Sequence, residues 1–247
     1  MRTRTKFLSL GLGFVLLAGV VFAPIAARRP FPQGDRMEHE GLVGLKAGMS
    51  LSWIIPTETG VVLVDAGSEP GAELILAEIG DRTVHAVLIT HGHFDHTAGL
   101  AVYKDIPIYV GPGEGALMRG EIKPGGWMAR MSTFMMGSTL PNLPNMIEFE
   151  DGQDIVIDGT IIRAMHTPGH TLGSAMYVWR NTLFSGDSIV SRGDHVSEIP
   201  KATADNYAQI RDSVARVLEV DFDRMADGHS GLQQNARLHV ENFVSGQ

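Results

Sequence analysis

From about residue 40 onward the chain alternates short apolar runs with turn residues. LSWII, GVVLVDAG, VHAVLIT and IPIYV read as a first batch of strands, and IEF, DIVID, TIIRAMH, SAMYVW and TLFSGD as a second. Between the second and third strands, EPGAELILAEIG has helical spacing, which places Leu74, Ile75 and Ile79 on one face. A further helix starts at or just after Asp95 and runs towards Lys104. The clearest helix is TADNYAQIRDSVARVLEV, with Tyr207, Ile210, Val214, Val217 and Leu218 as its apolar stripe and Thr203 or Asp205 as its cap. LQQNARLHVENFV closes the chain as a last helix. Two batches of strands, each followed by helix, predict an α/β fold of two mixed β-sheets packed face to face with helices outside, a four-layer αββα sandwich.

Two segments stand apart from this pattern. Residues 111–145 are rich in Gly, Pro and Met. They read either as a long loop packed on the body by its methionines or as an apolar flap over a site, with Met118, Trp127, Met128, Met131, Phe134, Met135 and Met136 as adaptable contacts. At the other end, basic MRTRTK is followed by a run without charge from Phe7 to Ala27 and then by RRPFPQGD. Residues 1–29 are therefore expected to be a signal peptide or an uncleaved N-terminal membrane anchor. The length of the run favours the anchor. Residues 30–247 are then one catalytic domain, placed in the cell envelope outside the cytoplasm and touching the membrane only through the N-terminal segment.

Composition narrows the chemistry. There are no cysteines, which excludes disulfides, thiolate metal sites and a cysteine nucleophile. Residues 1–29 hold five of the 20 Lys and Arg and none of the 28 acidic residues, which leaves 15 basic against 28 acidic side chains in the remainder. So acidic a body, without a basic stripe, is repelled by phosphate backbones, and nucleic acid is excluded as a partner. A small-molecule substrate fits better; oligomeric state is left open.

The densest chemistry is in THGHFDHTAGL, residues 90–100, directly after the strand VHAVLIT. His91 and His93, two apart at a strand end, project to one side, and Asp95 and His96 follow as the chain turns into a helix. Imidazole and carboxylate groups at a strand's carboxyl end suit a divalent ion. A solvated His-rich turn would require nothing of the rest of the chain, yet three more such residues occur at strand ends beside glycine: His170 in HTPGHTLGS, Asp187 in LFSGDS and His229 in ADGHSG. His39, His85, His195 and His239 lack a ligand-like context. His166 and His195 are secondary candidates for supporting the site.

In these motifs, and in their order, the chain resembles the metallo-β-lactamase-fold superfamily over residues 40 to 235. The resemblance implies a dinuclear site at one sheet edge, with two zinc ions, or iron or manganese in their place. His91, His93 and His170 would hold the first ion and Asp95, His96 and His229 the second, with Asp187 bridging. Asp65 in VDAG would support the site without ligating. A hydroxide shared by the metals would attack a carbonyl, with Asp95 orienting it or shuttling its proton.

Departures from familiar branches narrow the choice. The missing cysteine excludes cysteine-ligated β-lactamases, while the β-lactamases that use HxHxDH stay open. Val190 stands where quorum-signal lactonases often carry Tyr. Only 18 residues follow His229, too few for the C-terminal helical domain of glyoxalase II. The expectation is a metal-dependent hydrolase of a small ester, lactone, thioester or amide. A β-lactamase-type amide hydrolase, a mononuclear iron sulfur dioxygenase and a non-catalytic metal-binding envelope module are the alternatives.

Overall fold

The computed structural model describes residues 36–136 and 143–246. The proposed signal or anchor segment lies outside these residues. Among them, no helix is long and apolar enough to cross a membrane.

Seven strands form the first sheet, in chain order: β1 (Arg36–His39), β2 (Leu42–Ala47), β3 (Ser50–Pro56), β4 (Gly60–Val64), β5 (Thr83–Leu88), β6 (Ile108–Val110) and β7 (Met146–Glu148). Pairing is antiparallel from β1 to β4 and parallel from β4 to β7. The second sheet contains β8 (Asp154–Ile157), β9 (Thr160–His166), β10 (Ala175–Trp179), β11 (Thr182–Gly186), β14 (Arg224–Asp227) and β15 (Leu232–Gln233), in the order β15-β14-β11-β10-β9-β8. It is antiparallel except where β11 meets β14. A hairpin of β12 (Val190–Ser191) and β13 (Val196–Ser197) stands separately. Among the described residues there are six α-helices: α1 (Glu73–Ile79), α2 (Phe94–Thr97), α3 (Glu114–Met118), α4 (Trp127–Met136), α5 (Tyr207–Arg216) and α6 (Ala236–Ser245).

The side-chain alternation of the strands builds the layers. On β4 and β5, Val62, Val64, Ala86 and Leu88 point into the core between the sheets, where they meet Ile162, Ala164, Tyr177 and Phe184. Their neighbours Val61, Leu63, Val87 and Ile89 point outward to Ile75 and Ile79 of α1. On the far side, Met176, Val178, Leu183 and Met225 are covered by Ile210 and Val214 of α5 and by Val240 and Phe243 of α6. Three apolar seams between four layers give the αββα sandwich the patterning predicts. Trp53 and Tyr177 fill the middle seam and also lock the sheets together by hydrogen bonds. Trp53 Nε1 donates to Asp227 O at 3.1 Å, and the Tyr177 hydroxyl donates to Ile89 O at 2.9 Å. Each side chain of this size contributes roughly 1.5–3 kcal/mol by burial.

Several expectations need correction. IEF belongs to the first sheet, because β7 extends the parallel row from β6 across residues 111–145. On α1, Ile75 and Ile79 are buried, but Leu74 is exposed, so its apolar stripe is two residues wide. Lys201–Thr203 form a 3₁₀ turn and α5 begins at Tyr207 behind Asn206, so neither Thr203 nor Asp205 caps it. Asp205 instead accepts hydrogen bonds from the amides of Gly125 and Gly126. The Gly/Met-rich segment carries two helices, α3 and α4. Met118 is core, Trp127 and Met131 are exposed, and the side chains of Phe134, Met135 and Met136 lie outside the description.

Candidate metal centre

Parallel pairing delivers the site. β4 and β5 in one sheet and β11 and β14 in the other end at the same edge, so the loops that leave them converge. Two backbone bonds tie the sets together, Ala175 N donating to Thr90 O at 2.8 Å and Leu51 N to Gly228 O at 2.7 Å, while Gly228 N donates to Gly186 O at 3.0 Å within the second sheet. Ser50 Oγ also bonds the carbonyl of Asp95.

All seven sequence-predicted ligand candidates meet there, in two groups. His91, His93 and His170 form one, and Asp95, His96, Asp187 and His229 the other, each with donor atoms within 4.8 Å of one another. Asp187 reaches both: its Oδ2 lies 3.0 Å from His229 Nε2, 3.9 Å from His170 Nε2 and 4.0 Å from His91 Nε2. Its Oδ1 lies 3.4 Å from His96 Nε2. Asp95 Oδ2 stands 3.5 Å from His229 Nε2 and 3.6 Å from His96 Nε2. His91, His96 and His170 are buried, whereas His93, Asp95 and His229 are half-buried and border the solvent.

Three of the rings are turned by a partner on their outer nitrogen. His96 Nδ1 bonds Asp65 Oδ2 at 2.7 Å, and His229 Nδ1 bonds Met49 O at 3.2 Å, which leaves each Nε2 facing inward. His91 Nδ1 donates to Thr90 Oγ1 at 3.1 Å, and that hydroxyl donates to Asp65 Oδ2 at 2.8 Å. Asp65 also accepts from Thr90 N at 2.8 Å. It therefore sits behind the site, in the supporting place expected of it, on a left-handed backbone (φ 63°) that Asp tolerates better than most residues.

The donor set fits a divalent metal. His91 Nε2, His96 Nε2 and Asp187 Oδ1 are buried without a hydrogen-bond partner among the described residues. Orphaned polar atoms of this kind are costly unless something binds them. His170 Nε2 and His93 Nδ1 face each other at 3.0 Å, a spacing that a shared cation makes favourable for two lone pairs.

The protonation behaviour divides along the same line. Burial lowers His91, His93 and His170, and neighbouring imidazoles reinforce the effect for His91 and His170, so this triad stays neutral. For His96 burial acts downward too, but the carboxylates of Asp187, Asp95 and Asp65 outweigh it and raise the ring well above its ordinary range. His229 is held up at about 9, with burial again opposed by Asp187 and Asp95. Burial alone would raise Asp187. His229 and His96 overcome this and hold it well below the usual carboxylate range.

Two buried acids near the site escape sequence reasoning. Asp227 accepts from the amides of His229 (2.8 Å) and Ser230 through Oδ1 and from Ser191 N (2.8 Å) through Oδ2. Glu114 bonds the loops that carry His91 and His170. Alone in sequence, each looks like an ordinary turn or first-turn acid. The remaining histidines keep clear of the cluster: His85 bonds Thr59, His39 bonds Arg224, His195 bonds Asp194, and His166 bonds the Leu172 carbonyl.

Gly228 leaves no room for a side chain. A Cβ there would collide with Asp187 Oδ1 and come within 2.7 Å of His96 Cε1. Gly228→Ala is expected to displace the Asp187 carboxylate and weaken the second group's hold on a metal by about 10–100-fold, read by chelator competition.

The site and fold agree with what the chain is similar to. The family model described as "Metallo-beta-lactamase superfamily" matches residues 45–231. A protein of Aquifex aeolicus is 30% identical over 162 residues, 64% of this chain and 71% of that one. A hydroxyacylglutathione hydrolase of Hamiltonella defensa is 29% identical over 182 residues, 72% of this chain and 60% of its own length. Among solved structures, an archaeal metallo-beta-lactamase superfamily protein from Sulfolobus tokodaii superposes with a TM-score of 0.63 at 17% identity, covering 85% of this chain and 86% of that one. A protein crystallised in a di-iron-bound form gives 0.59 at 27% identity, covering 78% and 94%. With its two-sheet sandwich and a His/Asp cluster that implies a divalent metal, the chain belongs to the metallo-β-lactamase superfamily.

Proposed function

We propose that the protein is a dinuclear metal hydrolase of a small ester, lactone, thioester or amide. The observation that carries this is the division of seven donors into two adjacent groups with Asp187 between them. His91, His93 and His170 would hold the first ion, and Asp95, His96 and His229 the second, with Asp187 serving both. Zinc is our assignment for the pair. When bound, such ions supply a hydroxide nucleophile at neutral pH and a Lewis acid for a carbonyl oxygen.

The chain's own residues do the rest. Asp95 borders the solvent-facing side and its carboxylate can take or return a proton during attack and departure of the leaving group. Asp65 keeps His96 in one tautomer, and Met49 O does so for His229. Among the possible substrates the thioester has added support, because relatives from Hamiltonella defensa and Yersinia pestis are named hydroxyacylglutathione hydrolase. The di-iron-bound neighbour makes an iron pair the second reading for the metal. We place the enzyme at the cell envelope, a proposal that rests on the run without charge from Phe7 to Ala27.

Metal analysis of purified protein, coupled to a panel of lactones, thioesters, phosphodiesters and β-lactams, tests this reading. About two ions per chain are expected, with Asp95→Asn lowering turnover of the preferred substrate by about 10²–10⁴-fold. Full activity in metal-free protein sinks the proposal.

A further inference from the structure

Glu114 lies in the first turn of α3 with no exposed surface, far in sequence from either histidine loop. Its Oε1 accepts the amide of Gly92, the residue between His91 and His93. Its Oε2 accepts the amide of Gly173 at 2.8 Å and the hydroxyl of Thr171 at 2.9 Å, both just beyond His170. Thr171 is bound in turn to Ser174, whose Oγ lies 2.7 Å from the threonine hydroxyl and 2.8 Å from Thr171 N. One carboxylate therefore spans the two loops that supply the triad, and each oxygen serves one loop.

The glycines on either side fit this arrangement. A Cβ on Gly92 would stand 2.9 Å from Glu114 Oε1, and one on Gly173 would stand 2.7 Å from Oε2. The glycine inside HGH and the one inside HTLGS are thus the residues that let the carboxylate approach both backbones.

We propose that Glu114 is a positioning residue that fixes the separation of the His91–His93 loop from the His170 loop and so sets the affinity of the triad for its ion. None of its hydrogen bonds goes to a ligand ring. The inference rests on the metal-centre reading above and extends it to a residue outside the donor set.

The isosteric variant Glu114→Gln is informative because of its asymmetry. A carboxylate accepts from both amides, whereas a carboxamide accepts on one side and presents an NH₂ to a donor on the other. One loop is released while size and shape stay the same. Zinc competition with a chromophoric chelator, and the visible absorption of the cobalt(II) form, should show one of two binding steps weakened by about 10–100-fold and the other unchanged. The weakened step is identified by its absence in a His170→Ala control. A merely loosened fold would weaken both steps.

If E114Q does not fold, Thr171→Val takes its place, since it removes one donor and leaves both amides on the carboxylate. A smaller loss at the same step supports the proposal, and wild-type affinity at both steps overturns it. E114Q that folds and binds both ions as the wild type does also overturns it, with the metal centre intact. A wild-type chain that takes up no ion overturns the metal-centre reading and this inference together.

Discussion

Asp187→Asn is expected to lower hydrolysis by about 10³-fold, the scale of losing a preorganised electrostatic partner, and to reduce bound metal from about two ions to about one. Among the described residues Asp187 is the only carboxylate within 4.0 Å of imidazole nitrogens of both groups, at 3.0 Å to His229, 3.4 Å to His96, 3.9 Å to His170 and 4.0 Å to His91. Asparagine keeps the shape but loses the charge that balances a cation. The three-histidine group remains able to bind an ion by itself, so one is retained.

The metal-free fold should lose stability at neutral pH, because Asp187 is the leading charge that holds buried His96 and half-buried His229 protonated. Among the described residues the Asp187 side chain makes one hydrogen bond, to His229 Nε2, and none to a backbone amide, unlike Asp65, Glu114 and Asp227. A lowered metal-free melting temperature at neutral pH, together with the loss of one ion by mass spectrometry, is the expected pair of results. A D187N protein holding two ions at wild-type affinity would contradict the bridging assignment.

The second large effect concerns protons. Before metal enters, His96 is held well above its ordinary range and His229 at about 9, so both are charged at neutral pH. His91, His93 and His170 are lowered and neutral. Ligation needs neutral imidazole, so filling the second group at neutral pH should release about two protons, and filling the triad none. Asp187, already ionised, contributes none.

The sign follows directly. The second group's affinity should rise as pH climbs towards about 9, while the triad's stays flat across the same window. Titration calorimetry in two buffers of different ionisation enthalpy reads the proton count for each step. Equal proton release from both steps would count against this division. Stability of the metal-free chain runs the opposite way. The raised His229 stabilises the fold below its unfolded value near 6.5, and that contribution fades as pH rises through about 9.

The site was legible in sequence because its donors sit in short motifs at strand ends. Asp65, His91, His93, Asp95, His96, His170, Asp187 and His229 all arrive where the motifs suggest. The residues that hold those loops in place were not legible. Glu114 bonds residues 22, 57 and 59 positions away. A single acid in GPGEGALM carries no local sign of such partners. Among the strands, β1 and β2 were hidden because RMEHEGLVGLKAG mixes charge and glycine into both the half-covered β1 and the almost wholly buried β2. Leu74 shows the reverse case, an apolar residue with helical spacing that faces water because α1 is too short to bury a wide stripe.

Each metal group draws on both sheets. The loop after β5 gives His91 and His93 to one and the helix α2 that follows it gives Asp95 and His96 to the other, while the loops of the second sheet give His170 to the first and Asp187 and His229 to the second. A bound ion would thus be a crosslink between distant halves of the chain, closing loops of the length at which crosslinks restrict an unfolded polypeptide most. Metal supply would then govern how tightly the two halves of the polypeptide stay joined as well as whether the site is armed, and a cell starved of metal would hold a chain more open to proteases.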